Sequence, residues 1–144
     1  MDFFHALHTC SSALSAQRAR MNIISSNLAN INTTRTPEGG PYKRKDVVFA
    51  TCPNSSFRSM LSCQMAPNAS EVRVVGIVSD PSPPQLKYDP RHPDANKDGY
   101  VAMPNINLME EMVNMISATR SYEASVAAIN LTKSMALKAL EIGR

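Results

Sequence analysis

NINLMEEMVNMISATRSYEASVAAINLTKSMALKALEIGR, residues 105–144, is the stretch that decides the fold. Positions 108, 112, 115, 119, 122, 126, 129, 133, 136 and 140 are spaced alternately by four and three, and eight of the ten are apolar: Leu108, Met112, Met115, Tyr122, Val126, Ile129, Ala136 and Leu140. Thr119 and Lys133 are the exceptions. That spacing predicts an amphipathic helix with a narrow heptad seam. Its ends are marked too. Pro104 precedes it, and Asn107 followed by Glu110 has capping-box spacing with Asn in the Ser/Thr place. Glu110 and Glu111 fall in the first turn, where the helix dipole favours negative charge, and Gly143 can end the helix.

The other end of the chain repeats the pattern. Phe3, Leu7, Cys10, Leu14, Gln17, Met21, Ile24, Leu28 and Ile31 follow the same spacing, and all but Gln17 are apolar. A helix over this span is about 44 Å long at 1.5 Å per residue. An amphipathic helix of this length needs a partner for its seam. The two seams can satisfy each other as an antiparallel pair, or pair with other copies. Periodicity reports burial and not the partner, so an ordinary two-helix core stays open beside assembly.

Between these arms the chain forbids helix. All 10 prolines lie from Pro37 to Pro104, with four of the 5 glycines. Short β-branched runs at 46–51 and 71–79 predict strands, with weaker candidates at 86–88 and 100–102. Residues 52–70 read as polar loop. Asp80–Pro93 holds five prolines and predicts an extended, proline-rich arm. The expected fold is mainly α with a small β-rich insert. Terminal helices at 1–36 and 105–144 form a coiled-coil pair, and 37–104 is a β and extended middle segment.

Composition limits the chemistry. The formal charge is +3 with 19% charged residues, too mild to argue for nucleic acid. The uncharged stretch between Arg20 and Arg35 is too short and polar to span a bilayer, and the first residues lack the basic start of a secretory signal. Three cysteines without CxxC spacing argue against a disulfide framework or zinc knuckle, and little in the flanks of Cys52 and Cys63 asks for a bridge. Asp94, Asn96, Asp98 and Gly99 match the first half of an EF-hand loop, but Asn105 stands where the closing Glu is needed. His5 and His8 share a helix face without a third ligand. Lys43-Arg44-Lys45 reads as a solvated basic run. No nucleophile is paired with a base at recognisable spacing, so the reading is no enzyme, no cofactor and no metal.

SSNLANINTT, residues 25–34, resembles the N-terminal motif SxNLANxxTxGY of bacterial flagellar axial proteins: rod, hook and filament-cap-associated subunits. Ser26, Asn27, Leu28, Ala29, Asn30 and Thr33 carry the likeness. Arg35 stands where the motif has Gly, and glycine and tyrosine arrive late, in PEGGPYKRKDVVF at 37–49. That departure is similar to the basal-body proximal-rod proteins. So are VVGIVSDPSPPQLKYDPRHPDANKDGYVAMPN (74–105), EEMVNMISATRSYEASVAAIN (110–130) and KSMALKALEIGR (133–144). The resemblance implies a structural subunit exported through the flagellar type III apparatus without a cleaved signal. It implies helical assembly, with copies of itself and other proximal-rod, distal-rod and rod-base or MS-ring proteins, into a hollow shaft. That shaft crosses the periplasm, encloses the export channel and transmits torque. It implies neither nucleic-acid binding nor membrane insertion.

The assembly seams expected on this reading are Phe3, Leu7, Leu14, Met21, Ile24, Leu28 and Ile31 on the first arm. On the second they are Leu108, Met112, Met115, Tyr122, Val126, Ile129 and Leu140. Asn27, Asn30 and Asn32 are read as stopping the first helix and fixing the chain's exit, a role any polar helix end shares. The terminal arms of the isolated monomer are expected to be partly disordered for want of partners. The rival reading is a soluble helical-hairpin binding module with 37–104 as its recognition surface.

Overall fold

The computed structural model describes residues 3–52 and 71–142. Helix α1 runs over Phe3–Ala29, then come β1 (Lys45–Cys52), β2 (Glu71–Ser79), β3 (Gln85–Tyr88), β4 (Tyr100–Met103) and helix α2 (Leu108–Ile142). The two helices are proline-free, β1 and β2 are rich in β-branched residues, and β3 and β4 carry Tyr88 and Tyr100, so the elements follow local preference. Asn107 caps α2 by accepting the Met109 N–H on its Oδ1 at 3.0 Å. At the other helix end, Asn30 donates its side-chain amide to the Ser26 carbonyl at 2.8 Å and accepts the Thr33 hydroxyl at 3.1 Å. Those bonds close the last turn of α1 and turn the chain outward.

The helices run antiparallel. Asn27 meets Glu111, and six residues earlier Met21 meets Thr119, whose hydroxyl lies 3.8 Å from the Met21 sulfur. Strands β1 and β2 form an antiparallel ribbon, with a bulge where Val48 faces Gly76 and Phe49 faces Val74. One end of the ribbon is tied to α1 at Asn27–Lys45 and the other at Ser12–Val72 and His8–Glu71. Seven strand steps cover about 23 Å, and the fifteen residues from Asn27 back to Ser12 rise about 22 Å along a helix. The matched lengths let the ribbon lie along α1.

Strands β3 and β4 form a second antiparallel ribbon, in which Tyr88 faces Tyr100 with ring centroids 5.3 Å apart. The proline-rich segment is therefore only partly the extended arm expected: residues 81–84 carry no regular structure, 85–88 pair as a strand, and Pro90 and Pro93 sit in the connection of a hairpin. That connection closes through Asp89 N–H to the Gly99 carbonyl and Asn96 N–H to the Tyr100 carbonyl. Gly99 has φ of +80°, and a Cβ there would lie 2.9 Å from the Tyr88 ring. Gly99→Ala should cost about 1–2 kcal/mol through the strained backbone. Amide exchange should rise in β3 and β4 and not in α1; unchanged protection there would refute it.

Just before this hairpin Asp80 accepts the Ser82 hydroxyl and backbone N–H, which hold its carboxyl below the ordinary aspartate value. A depressed carboxyl adds stability above the ordinary aspartate range, and that stability is lost as pH falls through the folded value. NMR titration should show the Asp80 midpoint rising in Ser82→Ala; an unmoved midpoint would exclude the Ser82 hydroxyl as a cause.

Candidate assembly site

Burial in α2 follows a row that the sequence reading placed one residue to the side. Glu111 and Ala118 are 1% and 0% exposed, and Met115, Tyr122, Ser125, Ile129, Thr132 and Ala136 continue the row half-buried. This is a four-three repeat sharing Met115, Tyr122, Ile129 and Ala136 with the predicted row. It replaces Met112, Thr119, Val126 and Lys133 with Glu111, Ala118, Ser125 and Thr132. Ala118 and Ser125 let the helices approach closely at their positions, while Glu111 is drawn in by its polar partners. Of the remaining predicted positions, Val126 is half-buried, while Leu108, Met112 and Leu140 are exposed. On α1, Ile24 is buried and Leu7, Leu14, Met21, Leu28 and Ile31 are half-buried; the Phe3 side chain lies outside those described. The Gln17 side-chain oxygen is shielded from solvent without a hydrogen-bond partner.

The consequence is an unsatisfied surface. Among the described residues, the buried apolar side chains are Ala16, Ile24, Val47, Val101, Ile106 and Ala118, a small core. Large apolar side chains meanwhile stand exposed on α2 in two groups. Leu108, Met109, Met112, Val113 and Ile116 form one, and Leu131, Met135, Leu137 and Leu140 the other. Exposed Ser117, Arg120, Ser121, Glu123 and Asn130 lie between them. Val74, Val75, Ile77 and Val78 on β2 are exposed as well. Apolar side chains grouped in this way differ from the single scattered ones that a surface ordinarily carries.

At the root of the helix pair is a polar junction. Asn27 is 1% exposed. Its amide donates to the Lys45 carbonyl at 2.8 Å and to Glu111 at 3.2 Å, and its oxygen accepts the Lys45 N–H at 3.0 Å and the Tyr42 hydroxyl at 3.1 Å. All four hydrogen-bonding positions of the amide are used. Toward Lys45 it acts as a short piece of strand. Arg44 donates its Nε–H to Glu111 at 2.8 Å. Burial works against the Arg44 charge, but the hydrogen bond with Glu111 and the carboxylates of Glu111, Asp46 and Asp80 together hold the guanidinium above its ordinary value. Arg44 is thus no solvated surface charge, although its neighbours Lys43 and Lys45 are exposed.

Tyr42, Arg44 and Glu111 escape a reading of the sequence because their partners lie 15, 67 and 84 residues away. The available signal is the second four-three row through Glu111. The motif residues divide their work: Asn30 and Thr33 turn the chain locally, Asn27 reaches across the fold, Ser26 lies 3.4 Å from the Tyr42 hydroxyl, and Ala29 is exposed. Asn32 is exposed beside Lys87, Asp89 and His92.

The other candidates do not gather into a chemical site. Asp94 accepts the Thr34 hydroxyl at 2.8 Å, tying the hairpin connection to the loop after α1, while Asn96 and Gly99 close a backbone turn. His8 pairs with Glu71 at 2.7 Å, and the His5 side chain, Cys63 and any Cys52–Cys63 pairing lie outside what is described. Among the described residues no His, Cys, Asp or Glu cluster is placed to hold a metal, and no helix is long and apolar enough to cross a membrane.

Comparison with known proteins accounts for a helix pair joined at such a motif. Residues 7–35 match the family described as flagella basal body rod protein, and residues 97–142 match the C-terminal family of flagellar basal body rod FlgEFG proteins. The FlgC flagellar basal-body rod protein of Bacillus subtilis is 48% identical over all of both chains. The chain belongs to the FlgC family of flagellar basal-body rod proteins. The FlgC protein of Borreliella burgdorferi is 46% identical over 99% of this chain and 98% of its own, and that of Yersinia enterocolitica 41% over all of both. FlgC proteins are structural rod proteins of the flagellar basal body and not enzymes. The Asn27–Tyr42–Glu111 junction joins the two regions that the family matches cover separately.

Proposed function

We propose that this FlgC-family chain assembles with copies of itself and with other rod proteins into the helical, hollow proximal rod. That rod spans the periplasm, encloses the export channel and transmits torque. The observation that carries this reading is the pair of apolar groups at the two ends of α2, exposed among the described residues. The groups differ, so each meets something unlike itself on a neighbour. Such heterologous contacts extend into a helical tube, whereas self-complementary ones close into dimers. On this reading the terminal helices pair as a coiled-coil inner layer and the middle segment makes outer contacts. The chain reaches the rod unfolded through the type III export apparatus, without a cleaved signal.

A tagged chain should co-purify with basal bodies; recovery in a soluble cytosolic fraction alone would sink the proposal. Leu28→Asp and Ile129→Asp should each abolish rod incorporation and swimming. Normal motility of either variant would remove that position from the assembly seams. Hydrogen exchange on the dilute monomer should show weak protection near both termini, and strong protection throughout 3–31 and 108–140 would contradict an assembly-dependent helix pair.

A further inference from the structure

The fully bonded junction of Asn27, Arg44 and Glu111 sits at one end of a helix pair whose other facing side chains are apolar or small, with Ile24, Met115, Tyr122 and Ile129 the larger ones. Ala16 and Ala118 are the most deeply buried apolar residues of the two helices, and Ser125, Thr132 and Ala136 extend the same row. A shift of α2 along α1 by one heptad, about 10 Å, returns the four-three row to the same face of α1, so apolar packing by itself distinguishes the registers weakly. In one direction the shift brings Glu111 to the level of Arg20, away from Asn27 and Arg44. In the other it carries Glu111 beyond the last turn of α1. Either way the four hydrogen bonds of Asn27 and the Arg44–Glu111 pair cannot all persist, because Lys45 and Arg44 are adjacent residues at the head of β1.

We infer that Asn27, Arg44 and Glu111 form a register lock: they fix the axial offset of α2 against α1 and the point at which the β1–β2 ribbon leaves the helices. A buried polar group that selects one alignment among several of similar packing is the best-attested use of such groups. Asn27 is the central member, since it bonds Lys45 through both backbone groups while also holding Glu111. These are positioning residues, and what they position is the spacing between the two apolar groups of α2 and the surface of α1.

The test uses the full chain with Cys10, Cys52 and Cys63 changed to serine. Cysteines are introduced in three pairs: Met21→Cys with Thr119→Cys reports the native register, and Met21→Cys with Met112→Cys or with Val126→Cys reports a shift by one heptad either way. A short bismaleimide links them, and mass spectrometry of the joined peptides gives the yields. With the junction intact, the Thr119 pair should link about tenfold or more over the others, the ratio a preference of one to two kcal/mol produces. In Asn27→Leu/Glu111→Leu, with helicity retained by circular dichroism, that preference should collapse to within about threefold. Glu111→Gln, which keeps the bond to Asn27 and loses the charge, should give an intermediate ratio at native helicity. Three outcomes overturn the inference: equal yields with the junction intact, an unchanged preference in the double variant, or loss of helicity in every variant, which would make the junction a support of the fold and not of its register.

Discussion

Asn27→Asp should destabilise the chain by about 2–3 kcal/mol although only one atom type changes. The amide nitrogen of Asn27 donates to the Lys45 carbonyl and to Glu111. An aspartate oxygen in its place donates to neither and sets a second carboxylate against Glu111, which is itself 1% exposed. Asn27→Ala should cost about 2–3 kcal/mol, since it takes that partner from the part-buried Lys45 N–H and carbonyl and from the buried Glu111 carboxylate. Glu111→Ala removes one partner of a buried ion pair, a change that costs about 3–5 kcal/mol. The low end applies here, because the Arg44 side chain keeps 26% of its surface exposed and can turn to water and Asp46. Combining Asn27→Leu with Glu111→Leu should cost less than the sum of the single changes, since each has already lost the same hydrogen bond. Urea unfolding reads all of these. A change below about 0.5 kcal/mol, the ordinary scatter of surface substitutions, would mean the junction is not held as described.

Val113→Glu and Leu137→Glu should have the opposite profile. Val113 is 64% exposed and Leu137 53%. A glutamate at either site meets water in the monomer, and stability should stay within about 0.5 kcal/mol. In a rod built through the two ends of α2 the same carboxylate is buried without a partner in every subunit. Desolvating one such charge costs several kcal/mol. The helical repeat imposes that cost at each step, so incorporation into basal bodies and swimming should both be lost. Asn130→Glu, on the polar stretch between the groups, should assemble normally. Normal incorporation of Val113→Glu and Leu137→Glu would show that these faces stay open to water in the rod. The Leu28 and Ile129 variants cannot separate assembly from stability so cleanly, because both side chains are half-buried in the monomer already.

The contrast between these two experiments follows the division between what is local in this chain and what is not. Two long helices at the ends and four short strands between them are legible in the sequence, since proline placement, β-branched runs and heptad spacing act within a few residues. Asn107 as a cap and Asn30 as a stop are legible for the same reason: each bonds backbone within four residues of itself. Periodicity finds that α2 has an apolar stripe, but it cannot choose between adjacent rows. The choice depends on how closely α1 approaches, which favours Ala118 over Thr119, and on the polar partners that draw in Glu111 in place of Met112. The order of residues along the chain was enough for the elements, the family and the presence of two apolar stripes. The folded arrangement was needed to show which row α1 covers, which large side chains stay exposed, and that Asn27 and Glu111, 84 residues apart, share a hydrogen bond. The physical reason is that a buried polar contact is set by distance in space, and spacing along the chain carries no record of it.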